Sequence, residues 1–256
     1  MKVTILGCGT SGGVPRVGNL WGRCDPANPK NRRRRVSVLV EHAGTQILID
    51  TSPDLREQLL DARVERLDAV LFTHDHADHT HGIDDLRGLF HAMGRRLDCY
   101  ADAATAATLQ RRFDYVFDGF EDYPAMANLH RLADTGDALA PLTIGTLTVQ
   151  PFRQIHGATQ SIGYRIGGFA YSTDLNAIPE ASAPCLAGLD LWVVDALRYD
   201  PHPSHPHLAM TLGWIERFRP ARAILTHMNW DMDYEELAAR LPAGVEPGYD
   251  GLTVEL

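Results

Sequence analysis

The chain has 256 residues, with 24 basic and 33 acidic side chains and a formal net charge of -9. That length suits one large α/β domain spanning residues 1–256, or a doubled α/β unit sharing one core. Hydrophobic residues at 45% and charged residues at 22% exclude a disordered chain. The acidic balance argues against long DNA or RNA as a partner.

Val3–Leu6 is the first strand-like run. Gly7-Cys8-Gly9-Thr10-Ser11-Gly12 follows it and matches GxGxxG, yet a dinucleotide site needs a helix next. Here Gly13-Val14-Pro15, Gly18 and three prolines by Pro29 follow, so a tight turn is the better reading. Arg32–Arg35 is a run of four arginines, read as solvated loop charge ahead of attraction for an anion. Val36–Val40, Gln46–Ile49 and Ala69–Phe72 read as strands, and Pro53–Leu60 and Ala103–Phe113 as helices. Phe113–Arg131 breaks the rhythm with aromatics, glycine and proline and is expected to be an inserted loop or lid. Its Phe113, Tyr115, Phe117 and Phe120 are read as packing on one another ahead of stacking on a base or sugar. The second half repeats the pattern: strands at Leu147–Phe152, Ile162–Ile166, Leu191–Val194 and Ala223–Leu225, helices at Leu208–Phe218 and Tyr234–Leu241. Strands alternating with helices twice over predict two mixed sheets packed face to face, with helices outside. Cys8, Cys24, Cys99 and Cys185 are scattered and form no CxxC pair, which argues against a thiolate zinc knuckle or a disulfide framework. No apolar segment approaches the ~20 residues that span a bilayer, and a cytoplasmic location is expected.

Thr73-His74-Asp75-His76-Ala77-Asp78-His79 places three imidazoles and two carboxylates in one turn at a strand end. Lone histidines there would be surface residues. Alternation along an extended segment, however, aims His74 and His76 the same way, and Asp78 and His79 continue from a helix start. Four residues cannot fill two metal spheres. His156, Asp174 and His227 each stand at or just beyond the C-terminal end of an apolar run, where they can converge on the same rim, and Asp174 can bridge. Imidazole and carboxylate without thiolate suit zinc, manganese or iron.

His74-x-His76-x-Asp78-His79 followed by His156, Asp174 and His227 resembles the metallo-β-lactamase superfamily, over nearly the whole chain. The resemblance implies an αββα four-layer sandwich. It also implies two divalent metal ions, one on His74, His76 and His156, the other on Asp78, His79 and His227, with Asp174 between them. Asp50, closing Gln46–Ile49, matches the buried carboxylate that supports the ligand loop. Within the superfamily the pattern is most similar to the cyclic-phosphate phosphodiesterase of the carbon–phosphorus lyase pathway and to the tRNA 3′-processing endonuclease branch. That enzyme's extra structural zinc uses a cysteine cluster and a later histidine. Here only Cys24 and Trp230 stand at those places, so that zinc is expected to be absent.

A departing alkoxide needs a proton, and His205 in Ser204-His205-Pro206-His207 resembles the general acid of the phosphodiesterase branch. His207 is a further phosphate contact or a nearby ring; Asp84, Asp85 and Arg87 resemble a segment seen in relatives and are expected to line the pocket. The expected reaction is hydrolysis of a small, cyclic or nucleotide-like, phosphodiester by a metal-bridging hydroxide, which Asp78 orients. The alternatives are a tRNA-processing endonuclease, a thioesterase or lactonase on the same metals, and a nucleotide-binding protein with a vestigial site. Relatives are commonly dimers, so a homodimer is implied.

Overall fold

The computed structural model describes residues 1–136 and 138–256. Strands β1 (Lys2–Gly7), β2 (Ser37–His42) and β3 (Thr45–Ile49) pair antiparallel, and β4 (Ala69–Leu71), β5 (Leu97–Ala101) and β6 (Ala127–Arg131) extend the sheet in parallel. Between them run α1 (Leu55–Asp61), α2 (Ala77–Thr80), α3 (Leu86–Met93), α4 (Ala103–Arg112) and α5 (Asp114–Phe117). The second sheet repeats that scheme. β7 (Leu142–Ile144), β8 (Leu147–His156), β9 (Thr159–Ile166) and β10 (Phe169–Ser172) are antiparallel, and β11 (Leu191–Asp195), β12 (Arg222–Thr226) and β13 (Val245–Pro247) continue in parallel. α6 (Leu208–Phe218) and α7 (Tyr234–Ala238) link the last strands, and β14 (Thr253–Glu255) returns to pair with β1.

The two sheets pack through alternate side chains. Val38, Val40, Ile47 and Ile49 from the first share one core with Phe152, Ile162, Tyr164 and Val193 from the second. Leu39 and Leu48 point the other way, into a second core with Leu55 and Leu59 of α1 and Leu86 of α3. Each central strand is therefore covered on both faces, which is why it reads as an unbroken apolar run rather than an alternating one. The result is the αββα sandwich that the sequence predicts.

Several boundaries differ from expectation. β8 continues to His156 before turning at Gly157 (φ +60), so that histidine ends a strand instead of following it in a loop. The expected lid at 113–131 is corrected by the pairing of β6 alongside β5, which makes its last five residues the edge strand of the first sheet. Val116 and Phe117 are buried in the outer core, and of the segment's large hydrophobic side chains only Phe120 and Tyr123 are broadly exposed.

No helix follows the glycine turn. Gly9 instead bridges both Arg35 and Met228, and a Cβ there would sit 2.9 Å from the Arg33 and Arg34 carbonyl oxygens. Asp250 ties the same turn to the C-terminus by accepting from the Cys8 (3.1 Å) and Arg34 (2.7 Å) backbone N–H groups. The arginine run separates into four environments. Arg32 is exposed, while Arg33 is buried and donates to the Asn229 (3.0 Å) and Met232 (2.6 Å) carbonyls and, at 3.8 Å, to Cys24 Sγ. Arg34 pairs with Asp61 (2.7 Å) and Arg35 with Asp54 (3.1 Å). Among the described residues, no helix is long and apolar enough to cross a membrane.

Candidate metal centre

Ligand-type side chains come from strand ends in both sheets, and they meet where the sheets' carboxyl edges face each other. Asp50 stands one residue past β3, the His74–His79 turn follows β4, and His156 ends β8. Asp174 stands two residues past β10, and His227 one past β12. Asp50 (φ 63), Asp174 (φ 53) and His227 (φ 56) occupy the left-handed region, an uncommon backbone state for side-chain-bearing residues that clusters at functional sites. This conformation turns the chain sharply at each strand end, with Asp174 and His227 facing each other (3.4 Å) and Asp50 behind the His79 ring (2.7 Å to Nδ1).

Asp174 is the hub. Its Oδ1 lies 3.8 Å from His74 Nε2 and 3.7 Å from His156 Nε2. Its Oδ2 lies 3.1 Å from His79 Nε2 and 3.4 Å from His227 Nε2. Asp78 closes the second set, 3.4 Å from His79 Nε2 and 3.5 Å from His227 Nε2. The ligand atoms of His74, His76, His156 and Asp174 lie within 4.8 Å of one another, as do those of Asp78, His79 and His227. One carboxylate thus presents each oxygen to a separate pair of imidazoles.

The far sides of the rings fix their tautomers. Asp50 accepts from the Thr73 backbone N–H and hydroxyl (both 2.8 Å) and from His79 Nδ1 (2.7 Å). With its proton given to Asp50, the Thr73 oxygen accepts from His74 Nδ1 (3.1 Å). His156 Nδ1 donates to the Ser204 carbonyl (2.8 Å). These contacts leave Nε2 of three rings facing the cleft, and outer contacts of this type orient metal-binding imidazoles. His74, His79 and His227 Nε2 are buried with no hydrogen-bond partner among the described residues. Orphaned nitrogens beside carboxylates fit divalent cations.

The electrostatics agree. Burial alone would raise the Asp174 carboxyl, yet His227, His79 and His74 hold it well below the usual range. Asp78 is likewise lowered against its burial, by His79 and His227. Burial opposes charge on His79, but Asp174, Asp78 and Asp50 push it well above the usual imidazole value. His227 rises to about 9 against burial, through Asp174 and Asp195. His74 is lowered by burial and by neighbouring His79. The two carboxylates are thus held ionised beside His79 and His227, whose protons a bound cation would displace.

His205 approaches from the β11–α6 connection. Its Nδ1 donates to Asp195 Oδ2 (3.0 Å), and its Nε2 lies 3.7 Å from Asp174 Oδ1. The ring stacks on His227 at 4.8 Å between centroids. Asp195, which ends β11, also accepts from the Asp174 backbone N–H (3.0 Å). Sequence reasoning missed it, although it ends an apolar run as Asp50 and Asp174 nearly do; the following Ala196-Leu197 hides the boundary. His202, 5.1 Å from the His205 ring, was also missed in its proline-rich surroundings.

Three expected substrate contacts, His207, Asp85 and Arg87, lie outside these ligand-type clusters. His207 caps α6, its carbonyl accepting from the Met210 and Thr211 N–H groups, and it belongs to none of these ligand groups among the described residues. Arg87 pairs with Asp84 (2.7 Å) and lines a separate cleft of about 460 Å³ beside Tyr115 and Phe120, and Asp85 is partly buried at the start of α3.

Residues 45–228 match the model of the beta-lactamase superfamily domain. A solved structure of a new diphosphatase from the PhnP family superposes with a TM-score of 0.89, at 37% identity over 99% of this chain and 96% of that one. An octanoyltransferase of Porphyromonas gingivalis is 36% identical over 98% of the chain, which spans only 51% of that relative's length. Ribonuclease Z of Methanopyrus kandleri is 30% identical over 55% of the chain and 46% of its own length. With the αββα fold, the strand-end ligand sets and these similarities together, the chain belongs to the metallo-β-lactamase superfamily.

Proposed function

We propose that the chain is a metal-dependent phosphodiesterase acting on a small phosphodiester. His74, His76 and His156 would hold one divalent cation and Asp78, His79 and His227 a second, with Asp174 shared between them; zinc, manganese and iron all suit these donors. Bound there, such cations supply water of lowered pKa and offset charge on the phosphoryl oxygens.

The observation that carries the diester reading is the Asp195–His205 pair. Asp195 accepts from Nδ1–H, which stays on the ring, so the proton that His205 would deliver is one on Nε2, on the side of Asp174. An alkoxide leaving group needs that proton as its P–O bond breaks. Asp78 lies on the opposite side of Asp174, contacting His79 and His227, where it can orient the attacking water. The diphosphatase and Ribonuclease Z relatives both support chemistry at phosphorus. The tRNA-processing alternative shares this chemistry and differs in substrate size, which the net charge of -9 disfavours.

Metal content and turnover of bis(p-nitrophenyl) phosphate, beside an acyl ester and a lactam, test the proposal. Two metals per chain and diesterase activity, with loss of activity in Asp174→Ala, are expected. Acyl turnover alone would move the site to thioester or lactone hydrolysis, and absence of bound metal after loading would overturn it.

A further inference from the structure

The connection that carries His205 runs from β11 to α6 through Pro201-His202-Pro203-Ser204-His205-Pro206. Its three prolines have no backbone N–H, so the stretch has few donors with which to fix its own shape. Two backbone bonds close its base, from the Leu197 N–H to the Pro206 carbonyl (3.0 Å) and from the Leu208 N–H to the Arg198 carbonyl (2.9 Å). The tip, Pro201–Ser204, depends on contacts from outside. Among the described residues, two hydrogen bonds reach it from beyond the connection: His156 Nδ1 donates to the Ser204 carbonyl (2.8 Å), and Asn176 Nδ2 to the Pro203 carbonyl (3.0 Å). Asn176 stands two residues past Asp174 and is half-buried. Its backbone N–H donates to the Ile155 carbonyl (2.7 Å) and its Oδ1 accepts from the Gly157 N–H (2.9 Å), so it brackets His156 on both sides. The Gly157 contact calls for an acceptor and the Pro203 contact for a donor, and a carboxamide supplies both from one planar group. Gly157 also packs closely here: a Cβ there would stand 3.0 Å from Ser204 Cβ. One side chain thus joins the end of β8, the turn after β10 and the connection to α6, which carry His156, Asp174 and His205.

Resting on the phosphodiesterase reading, we propose that Asn176 is a positioning residue for proton delivery: through Pro203 it fixes where His205 Nε2 stands relative to Asp174 and the departing oxygen. Asp195 sets which way the His205 ring turns, and Asn176 sets where the backbone beneath that ring lies. In the step it serves, the P–O bond breaks with its electron pair left on the departing oxygen. The Nε2–H bond breaks with it, its proton passing to that oxygen, and solvent water returns a proton to the ring. Such a transfer depends on close approach, and a misplacement of about 1 Å costs on the order of 10²-fold in rate.

Two variants of the metal-loaded protein separate the contacts. Asn176→Asp keeps the acceptor for Gly157 but sets a carboxylate oxygen against the Pro203 carbonyl, whereas Asn176→Ala removes both bonds without adding charge. Turnover is measured with a dinucleotide, whose leaving group is an alkoxide, and with bis(p-nitrophenyl) phosphate, whose phenolate leaves without help. In both variants kcat should fall by about tenfold to 10²-fold on the dinucleotide and by less than about threefold on the aryl diester, with metal content unchanged. Adding Asn176→Asp to His205→Ala should cost nothing further on the dinucleotide, because the acid that it places is already gone. A second readout needs no turnover. In the zinc-loaded protein, proton–nitrogen spectra follow the His205 Nδ1–H held by Asp195, identified by its loss in His205→Ala. That proton should exchange with water about fivefold faster or more in Asn176→Asp, as the loss of one hydrogen bond implies. Equal losses on the two substrates, or the same loss with His205 already removed, would overturn the proposal. So would a loss confined to Asn176→Ala, which would place the effect on Gly157 instead of Pro203. Absence of diester turnover in the unmodified protein, with the faster exchange still seen in the variant, would overturn the reaction and leave the positioning standing.

Discussion

At His205 the chemistry depends on which nitrogen is already committed. Asp195 is fully buried, and its Oδ2 accepts from both His205 Nδ1 and the Asp174 backbone. That double acceptance ties the ring's orientation to the residue between the two ligand sets. His205→Ala should keep its metals and lose turnover selectively. With a dinucleotide, whose leaving group is an alkoxide, kcat should fall by about 10²–10⁴-fold, the range for a lost general acid. With bis(p-nitrophenyl) phosphate, whose phenolate leaves without help, the fall should be far smaller. Asp195→Asn should produce the same leaving-group bias, since an amide in that place no longer demands the Nδ1 proton. Equal losses on both substrates, with metal content unchanged, would remove His205 from proton transfer.

Among the elements, the segment from the end of β4 through α2 carries four candidate ligands, His74 and His76 in the connection and Asp78 and His79 in the helix, with little regular structure: α2 has four residues, and His76 precedes it without a side-chain cap. Its shape is imposed from β3, through Asp50. The Asp50 carboxyl is raised by burial, which outweighs the opposing effects of His79 and Thr73, and its oxygens serve three donors. Asp50→Asn cannot accept on both sides, so it should release the His79 and His74 rings together. Competition with a chromogenic chelator should then show metal affinity about 10–100-fold weaker, as for other outer-shell losses. Unchanged affinity would mean that the turn is shaped by its own backbone. Asp50 was legible through the family resemblance, as the residue closing Gln46–Ile49, and Asp174 and His227 because each stands at the end of an apolar run. The strands β7, β13 and β14 were not, since three residues carry too little pattern and only pairing with a longer neighbour makes them strands. β5 was missed because Asp98 and Tyr100 dilute its apolar alternation. Sequence order could not separate His205 from His207 by geometry either. Two residues apart, one faces the cleft and the other begins a helix.

Across the whole molecule, the metal centre joins two sheets whose other contacts are mostly apolar. His74, His79 and Asp78 belong to the first, and His156, Asp174 and His227 to the second. The glycine turn reinforces the junction, because Met228 donates to the Cys8 carbonyl and Thr10 donates to the Met228 carbonyl next to His227. Metal binding should therefore stabilise the entire sandwich, and to an extent that depends on pH. The folded-state value for His227 is about 9, above the ordinary ~6.5 of an unfolded imidazole. Without metal, the protonated ring contributes stability that is fully present below about pH 6.5 and is lost as pH rises through 9. With metal, the ring must be neutral, so the proton competes below pH 9 and apparent affinity falls about tenfold per pH unit for each proton displaced. At fixed free metal that is about 1.4 kcal/mol of stabilisation per unit while the site stays near saturation. The same proton underlies both trends and counts once: the Tm difference between metal-loaded and chelator-treated protein should widen from pH 6.5 to 9. Calorimetric melting across that range measures it directly. A constant or narrowing difference would show that His227 takes no part in holding metal. His227→Gln, which cannot carry the proton, should flatten the dependence.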